Sequence, residues 1–318
     1  MICLACQFPR PGKSFVAREM MLGTRKTFSY LECNNCHSVQ IEEIPQPDEL
    51  ARHYAADYNS FADGDDSDAN GSSLKKSLLV YRDRHSMGFT NWIGWGLSKI
   101  RPSHAILPAL KAMRVQVDHD ILDVWCGSEA AILNLLAACG FVKLLGANPF
   151  INGDISRKNG VRILTRYIHE VGQMFDLIMF NHCLEHVADP HATLRVARSK
   201  LKTGGRCLVR IPTTSSTAWQ IYGADWVQLD APQHLFVPSR DGMRALALSC
   251  GFVVDHVLDD SSDFQFTASE LYRKDVPLNK QNDQQYFSVA QLAKFRAQAR
   301  DANAKHLGDQ AAFILKPA

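Results

Sequence analysis

Four cysteines near the start of the chain have the spacing of metal ligands. Cys3 and Cys6 form one C-x-x-C pair, and Cys33 and Cys36 form a second. Thiolates suit zinc, and two such pairs bring four sulfur atoms to tetrahedral corners at about 2.3 Å from the ion. Redox-active or simply reduced cysteines are the alternative, although two pairs are harder to explain in that way. The pattern predicts a structural zinc ribbon, whose four ligands leave no open position for chemistry.

Three histidines and a glutamate could transfer protons. His182, Glu185 and His186 fall in one short segment, and His234 follows later in the chain. Histidine exchanges protons near neutral pH, and a carboxylate orients an imidazole. Each histidine could instead cap a helix or satisfy a buried carbonyl. We take the histidines as candidate bases and Glu185 as their partner.

The segment ILDVWCGSEAAILNLLAACGF, residues 121–141, predicts a strand, a tight turn and a helix. The strand ends at Val124, the turn runs from Trp125 to Ser128, and apolar residues then recur at helical spacing until Gly140. Amide groups at a helix N-terminus, beside the carboxyl ends of parallel strands, favour a polar or anionic ligand. The segment therefore predicts a site for an adenosine-bearing cofactor.

This segment resembles the first motif of class I S-adenosylmethionine-dependent methyltransferases, usually Asp-Val-Gly-Cys-Gly-Ser-Gly. The matching residues are Asp123, Cys126, Gly127 and Ser128. Trp125 and Glu129 replace two glycines of the motif, which allow positive φ and close ligand approach. Residues 144–150, 175–190 and 201–212 match later motifs in the same order. The resemblance implies methyl transfer from S-adenosylmethionine.

The resemblance also implies a set of cofactor-binding residues: Asp123, Trp125, Cys126, Gly127, Ser128, Asn148, Pro149, Asn181 and His182. Asn148 stands where the family has an acid that binds both ribose hydroxyls, and an amide lacks that charge and symmetry. Residues 214–239 resemble the lid and substrate segment of a bacterial subgroup associated with surface-polysaccharide or sugar modification, and Gln233 replaces an arginine of that segment. Two interpretations follow: a methyltransferase acting on a small or carbohydrate-like acceptor, or a noncatalytic binding or scaffold protein with the same fold.

The order of elements predicts an α/β fold. Strands near Ile121, Leu144, Val161, Phe175, Cys207 and Val253 alternate with helices or short crossovers. Such alternation is typical of a parallel sheet. Ser288 and Gln291 form a capping-box pattern before a late helix, and the resemblance implies an antiparallel last strand over residues 310–315. We expect a doubly wound, Rossmann-like, seven-stranded, mostly parallel sheet with a small N-terminal zinc ribbon.

We expect three regions along the chain: a ribbon over 1–45, a helical linker and cover over 46–103, and a methyltransferase-like domain over 104–318 with a lid near 213–239. Acids at Asp63, Asp65, Asp66 and Asp68 lie in a run of small residues. Their spacing favours a flexible loop over a calcium site. Trp92 and Trp95 either pack over the catalytic domain or form part of a substrate cover, and core packing is the expectation we favour. Tyr222 and Trp226 on the lid either shape the acceptor pocket or pack.

Composition restricts the partners of the chain. The net charge is only +2 and the basic residues are scattered, so a zinc-ribbon nucleic-acid modifier is disfavoured. No signal peptide or apolar run long enough to span a bilayer is found, and the cysteines are paired as metal ligands. We therefore expect a cytoplasmic protein with a small-molecule or saccharide acceptor. The oligomeric state and the methylated atom are not indicated.

Overall fold

The computed structural model describes residues 2–9, 12–53, 73–280 and 283–318. The strands are β1 (Lys13–Arg18), β2 (Thr27–Glu32), β3 (Val39–Ile41), β4 (Asp120–Val124), β5 (Lys143–Ala147), β6 (Ile155–Ser156), β7 (Arg162–Leu164), β8 (Phe175–Asn181), β9 (Leu201–Pro212), β10 (Phe236–Val237), β11 (Phe252–Asp259) and β12 (Gln310–Pro317). The helices are α1 (Pro47–His53), α2 (Ser73–Ser86), α3 (Trp92–Ile100), α4 (Leu107–Ala112), α5 (Ala131–Ala138), α6 (Pro190–Ser199), α7 (Thr217–Tyr222), α8 (Arg240–Ser249), α9 (Phe264–Arg273), α10 (Asp283–Tyr286) and α11 (Val289–Ala304).

The larger sheet has the order β11-β12-β9-β8-β4-β5-β7-β6. β4 pairs in parallel with β5 and β8, which in turn pair in parallel with β7 and β9. β12 runs antiparallel to β9 and β11, as expected for the last strand. The class I methyltransferase fold is therefore confirmed. The described sheet has eight strands rather than seven, because the two-residue strand β6 adds an antiparallel edge to β7.

Alternation along the central strands builds a core on each face of this sheet. Leu122 of β4 belongs to a buried cluster with Leu194 of α6 and Leu246 of α8. Its neighbour Ile121 belongs to a second cluster, with Leu136 of α5. Successive side chains of a strand point to opposite faces, so helices cover both sides and form three layers. Fully burying each such leucine or isoleucine contributes roughly 1.5–3 kcal/mol before the entropic cost.

Local sequence fixes the ends of several helices. In α6, the Asp189 side chain accepts a hydrogen bond from the amide of Ala192, and Pro190 occupies the first turn. Gly140, with φ of 93°, follows α5 and ends it. The predicted capping box of Ser288 and Gln291 is present at the start of α11. These local signals agree with the global fold.

The smaller sheet joins the amino-terminal strands to a later part of the chain. Its order is β1-β2-β3-β10, and β10 lies in the predicted lid. The amide of Ile41 donates to Leu235 O at 2.9 Å, and Tyr30 Oη donates to His234 O at 3.0 Å. The amino-terminal strands therefore support the segment that carries His234.

The expectation that Trp92 and Trp95 pack in the core is wrong, because they are 82% and 58% exposed. The predicted helical region forms two helices, α2 and α3, which contact each other through the buried Gly94. A Cβ at Gly94 would lie 2.1 Å from Tyr81 O, so the two backbones touch at the glycine. Both tryptophans of α3 remain in solvent.

The lid aromatics pack against the rest of the fold. Trp226 is buried in a cluster with residues of the small sheet, and its Nε1 donates to Asp309 Oδ2 at 3.1 Å. Tyr222 is buried in the same cluster, and its Oη donates to Glu270 Oε1 at 3.0 Å. Packing is thus the role observed for both.

The predicted acidic loop, with Asp63, Asp65, Asp66 and Asp68, falls outside the described residues. Across the described ranges, none of the helices combines the length and apolar character needed to cross a bilayer.

Candidate active site

The nine residues predicted to bind cofactor lie along one edge of the large sheet. They occupy the carboxyl end of β4 and its following turn, the residues after β5, and the end of β8. Because β4 pairs in parallel with both neighbours, these three ends meet. The predicted cofactor-binding residues therefore share one edge of the sheet, where the sequence predicts a crevice.

The turn after β4 holds left-handed backbone at a non-glycine residue. Trp125 has φ of 59° and Gly127 has φ of 67°, and the Trp125 amide donates to Ala147 O at 2.7 Å. Residues other than glycine rarely adopt this backbone conformation, which costs them roughly 1–2 kcal/mol. A Cβ added at Gly127 would meet nothing within 4 Å, so space beside this glycine is open. The tryptophan keeps the backbone shape for which the family uses glycine.

The Trp125 indole lies across the strand ends, partly buried against the core cluster that holds Leu122. Its ring meets Phe150, which follows β5, edge-on at 4.9 Å between centroids. On the other side it is nearly parallel to the imidazole of His186, which follows β8, at 6.4 Å. The indole therefore spans the ends of three neighbouring strands.

Glu129 is solvent-exposed and lies beside a cation. Its side chain is 87% exposed, and its carboxylate lies 3.5 Å from the Arg157 guanidinium. Arg157 also donates to Ser128 O at 2.7 Å. The negative charge at this helix end is therefore solvated and paired with a cation.

Asp123 and Asn148 differ in how their polar atoms are engaged. Asp123 is buried, and its Oδ1 has no hydrogen-bond donor among the described residues. Burial raises the pKa of this carboxyl to about 7. Asn148 Oδ1 accepts from the amide of Phe150 at 3.0 Å. Asp123 Oδ1, at the end of β4, is thus a buried acceptor without a donor, whereas Asn148 Oδ1, after β5, already has one.

The four candidate catalytic residues come together at the end of β8. His182 Nδ1 lies 3.5 Å from Glu185 Oε1, and His234 Nε2 lies 4.0 Å from the same oxygen. The rings of His186 and His234 meet at 4.8 Å between centroids. A short 3-10 helix, Leu184–His186, positions two of these residues, and the segment braced by the small sheet supplies His234. The side chains converge on the Glu185 carboxyl.

Hydrogen bonds to backbone carbonyls orient two of the imidazoles. His186 Nδ1 donates to Gln233 O at 2.9 Å, and His234 Nδ1 donates to Gln228 O at 2.7 Å. A carbonyl oxygen only accepts, so these contacts place the hydrogen on Nδ1 and the lone pair on Nε2.

His182 has the opposite orientation. Arg210 Nη1 donates to its Nε2 at 2.7 Å, so the hydrogen lies on Nδ1, facing Glu185. Arg210 is itself buried and forms an ion pair with Asp260. The composition and the motifs do not identify Arg210 as a site residue. Its position within the apolar run LVRIP of β9 is the sequence signal that indicates a buried cation.

Burial dominates the electrostatics of the cluster. It raises the pKa of Glu185 to about 8 and lowers the pKa of His186 to about 4. Burial also lowers the pKa of His182 and of His234 well below their usual range. Desolvation disfavours every charged form, so all three imidazoles are neutral at pH 7.

The four predicted zinc ligands also come together. The sulfur atoms of Cys3, Cys6, Cys33 and Cys36 all lie within 4.8 Å of one another. The amides of Gln7 and His37, each just after a C-x-x-C pair, donate to Cys3 O and Cys33 O at 2.9 Å. Both residues have positive φ, 58° and 57°, which lets each loop fold tightly behind its two sulfurs. The arrangement matches the donor set of a structural zinc site.

Comparison with known proteins identifies one family model, described as a methyltransferase domain, which matches residues 98–257 and so just over half of the chain. No curated protein matches the chain. Similar solved structures include an S-adenosylmethionine-dependent methyltransferase from Mesorhizobium loti, with 16% identity, a TM-score of 0.43, and coverage of 66% of this chain and 97% of that one.

Two further structures are similar at the same low level. One is the cyclopropane synthase MmaA2 from Mycobacterium tuberculosis, with 15% identity, a TM-score of 0.40, and coverage of 63% of this chain and 79% of that one. The other is a possible histamine N-methyltransferase from Thermotoga maritima, with 13% identity, a TM-score of 0.41, and coverage of 77% and 95%.

Proposed function

The chain belongs to the methyltransferase-domain family, and from that premise we propose that it transfers a methyl group from S-adenosylmethionine to a small or carbohydrate-like acceptor. The observation that carries the proposal is the buried cluster of Glu185, His186 and His234 beside the turn after β4. Polar groups that converge in a crevice at the carboxyl ends of parallel strands are typical of a site where an acceptor is oriented.

The crevice offers groups for the donor. The unsatisfied Asp123 Oδ1 would accept a hydrogen bond from it, and the open space beside Gly127 admits it close to the backbone. Ser128, Pro149 and Asn181 line the same edge. The Trp125 indole stands in this crevice, so donor binding requires the ring to shift from its place between Phe150 and His186.

S-adenosylmethionine supplies a methyl group that is already activated, so the protein must mainly align the acceptor and remove its proton. His186 and His234 both keep a lone pair on Nε2, which makes these atoms the proton acceptors we favour. A proton on His234 Nε2 would face the Glu185 carboxyl, at 4.0 Å. We assign His182 a positioning role, because Arg210 donates to its Nε2.

A carbohydrate-like acceptor suits this cluster. Sugar hydroxyls both donate and accept hydrogen bonds, and the cluster presents imidazole lone pairs next to a carboxyl. The resemblance of residues 214–239 to a sugar-associated subgroup supports the same class.

We assign the four amino-terminal cysteines to a structural zinc ion. Their sulfur atoms are close enough to share one metal. The thiolate form is the zinc ligand, and four thiolates are a donor set that zinc accepts. Four sulfur ligands complete the coordination, so the ion would stabilise the fold without joining the reaction.

An acceptor screen tests the proposed activity. Zinc-replete full-length protein is incubated with S-adenosylmethionine and a panel of nucleotide-linked sugars, and S-adenosylhomocysteine is measured. We expect acceptor-dependent product, and a rate lower by about 100-fold in His186→Gln and His234→Gln. His191→Gln, a buried histidine of α6 outside the cluster, is the matched control. Equal rates in all four proteins would contradict the assigned base.

A noncatalytic binding protein is the second candidate, and the position of Trp125 favours it. An indole fixed between Phe150 and His186 would exclude the donor and leave a polar pocket that binds a saccharide without modifying it. Saccharide binding with no turnover, in protein that also fails to bind the donor, supports this candidate. Turnover with any acceptor of the panel excludes it.

A further inference from the structure

Glu185, His186 and His234 form a compact set of nitrogen and oxygen ligands. One ligand atom from each lies within 4.8 Å of the other two. Their exposed fractions are 0%, 6% and 2%, so all three side chains are at least nine-tenths buried. This set is distinct from the cysteine cluster in both its residues and its ligand chemistry.

The two imidazoles are oriented as metal-binding histidines are. Each donates its Nδ1 hydrogen to a backbone carbonyl, Gln233 O for His186 and Gln228 O for His234. In metal sites, this type of hydrogen bond fixes the tautomer and directs the lone pair of the other nitrogen to the ion. Here that nitrogen is Nε2 in both residues.

The carboxyl of Glu185 makes no hydrogen bond of normal geometry among the described residues, although both of its oxygen atoms are buried. The His182 Nδ1 hydrogen faces it, with Nδ1 3.5 Å from Oε1. Because an ionised carboxylate is costly in the interior, such a carboxyl favours its protonated form. A divalent cation held between Glu185 and the two Nε2 atoms would displace that proton and stabilise the carboxylate.

We propose that Glu185, His186 and His234 bind one divalent transition-metal ion. Two imidazoles and one carboxylate are a donor set that zinc, cobalt and ferrous iron accept. Tetrahedral ligands at about 2.1 Å from an ion lie roughly 3.4 Å apart. Glu185 Oε1 and His234 Nε2 are 4.0 Å apart, and all three ligand atoms lie within 4.8 Å of one another, so each pair must approach by at most about 1.4 Å to reach that spacing.

Three protein ligands leave at least one coordination position for another oxygen. We assign that position to an oxygen of the methyl acceptor, an assignment that rests on the proposed function. With the ion bound, the two Nε2 lone pairs are its ligands and do not accept a proton; the ion would instead lower the pKa of the coordinated oxygen, whose proton is released to water. Binding of the ion itself does not depend on that assignment, because the ligand set is complete within the protein.

Cobalt(II) distinguishes the two sites of the chain. Metal-stripped, full-length protein is titrated with cobalt(II), and absorption spectra and bound metal per chain are measured. The cysteine site gives intense thiolate-to-cobalt charge-transfer bands, whereas the Glu185 site gives only weak ligand-field bands. We expect two ions per chain in the wild type and one in Glu185→Gln and His234→Gln, with the thiolate bands unchanged.

His191→Gln is the matched control for the metal count and should bind two ions. If the wild type binds only one cobalt ion per chain and shows thiolate bands alone, the proposal is overturned. This result does not depend on whether the variants fold. Donor binding, measured separately by calorimetry, tests the proposed function and does not affect the metal count. A protein that binds two ions but no donor would therefore keep the metal site and lose the methyltransferase proposal.

Discussion

Trp125 and Glu129, the two replacements in the turn segment after β4, behave differently although the sequence presents them as equivalent departures. The Trp125 ring lies in the crevice between Phe150 and His186. The Glu129 side chain is exposed beside Arg157. The direction of each side chain, and not its type alone, decides its effect on a ligand. The two residues therefore give different predictions for the affinity of the donor.

Trp125→Gly should strengthen the binding of S-adenosylmethionine. The change removes the indole from the crevice and places glycine where φ is 59°. We expect the Kd to fall about tenfold, equivalent to roughly 1.4 kcal/mol, in calorimetric titrations. Trp92→Gly, at an exposed tryptophan of α3, is the control and should leave the Kd unchanged. An unaltered Kd in Trp125→Gly would show that the ring does not compete with the donor.

Glu129→Gly should change the affinity for the donor little. The carboxylate is solvated and lies 3.5 Å from Arg157, so its field at the crevice is screened. We expect the Kd to stay within about twofold of the wild type at 0.15 M salt. A larger gain in affinity would mean that the carboxylate repels the bound donor.

At the scale of elements, the lid is tied to the last strand pair by a buried acid. Trp226 Nε1 donates to Asp309 Oδ2, and Asp309 O accepts from the amide of Thr213. Asp309 lies just before β12, so this contact joins the carboxyl-terminal strand to the segment that supplies His234. Asp309 is buried among the apolar residues of the lid and has little contact with water.

The pH dependence of folding should report on Asp309. Burial raises the pKa of its carboxyl from 3.8 to about 7, so the folded state keeps a proton that the unfolded chain has lost. The contribution of Asp309 to stability is therefore present at low pH and falls as pH rises from about 4 to about 7. Asp309→Asn should remove this fall, which amounts to roughly 1.4 kcal/mol per pH unit at most.

Urea unfolding across this pH range measures the effect. Asp301→Asn, at an exposed residue of α11, is the matched control and should follow the wild type. If the free energy of unfolding changes with pH in the same way in Asp309→Asn and in the wild type, the buried carboxyl of Asp309 does not have the proposed effect.

At the scale of the whole molecule, the cysteine cluster and the candidate active site are structurally connected. Ser239 Oγ donates to Cys36 O, and the amide of Ser239 donates to Ser38 Oγ at 2.9 Å. The same segment continues through β10, which pairs with β3, to His234. A metal that orders the cysteine loops thus also orders one wall of the site.

Removal of zinc should loosen this wall. We expect a chelator to lower the Tm and to increase hydrogen exchange at the amides of Phe236, Val237 and Ser239, because their partners in β3 and the cysteine loops lose support. Exchange in β8 should change much less. If these amides exchange at the same rate before and after chelation, in protein shown to have lost its metal, the cysteine cluster does not support this wall of the site.

Much of this architecture follows from the sequence. Asp123 to Ser128 and the apolar run from Phe175 predict adjacent strand ends, because strand order in a parallel sheet brings them to one edge. Spacing alone also predicts the cysteine cluster. Side-chain direction does not follow from the chain: Trp95 looks like a core residue, yet the close backbone contact at Gly94 leaves it exposed. The same limit applies to Trp125 and to the Arg210 contact with His182, both of which depend on tertiary packing.

Calorimetric titration of S-adenosylmethionine into folded, zinc-replete protein tests the central claim, that the crevice at the carboxyl ends of β4, β5 and β8 binds the methyl donor. The account predicts saturable binding of one donor per chain, weakened about tenfold in Asp123→Asn because the carboxyl is replaced by an amide with one acceptor oxygen instead of two. Absence of binding heat at millimolar donor, in both the wild type and Trp125→Gly, would contradict it.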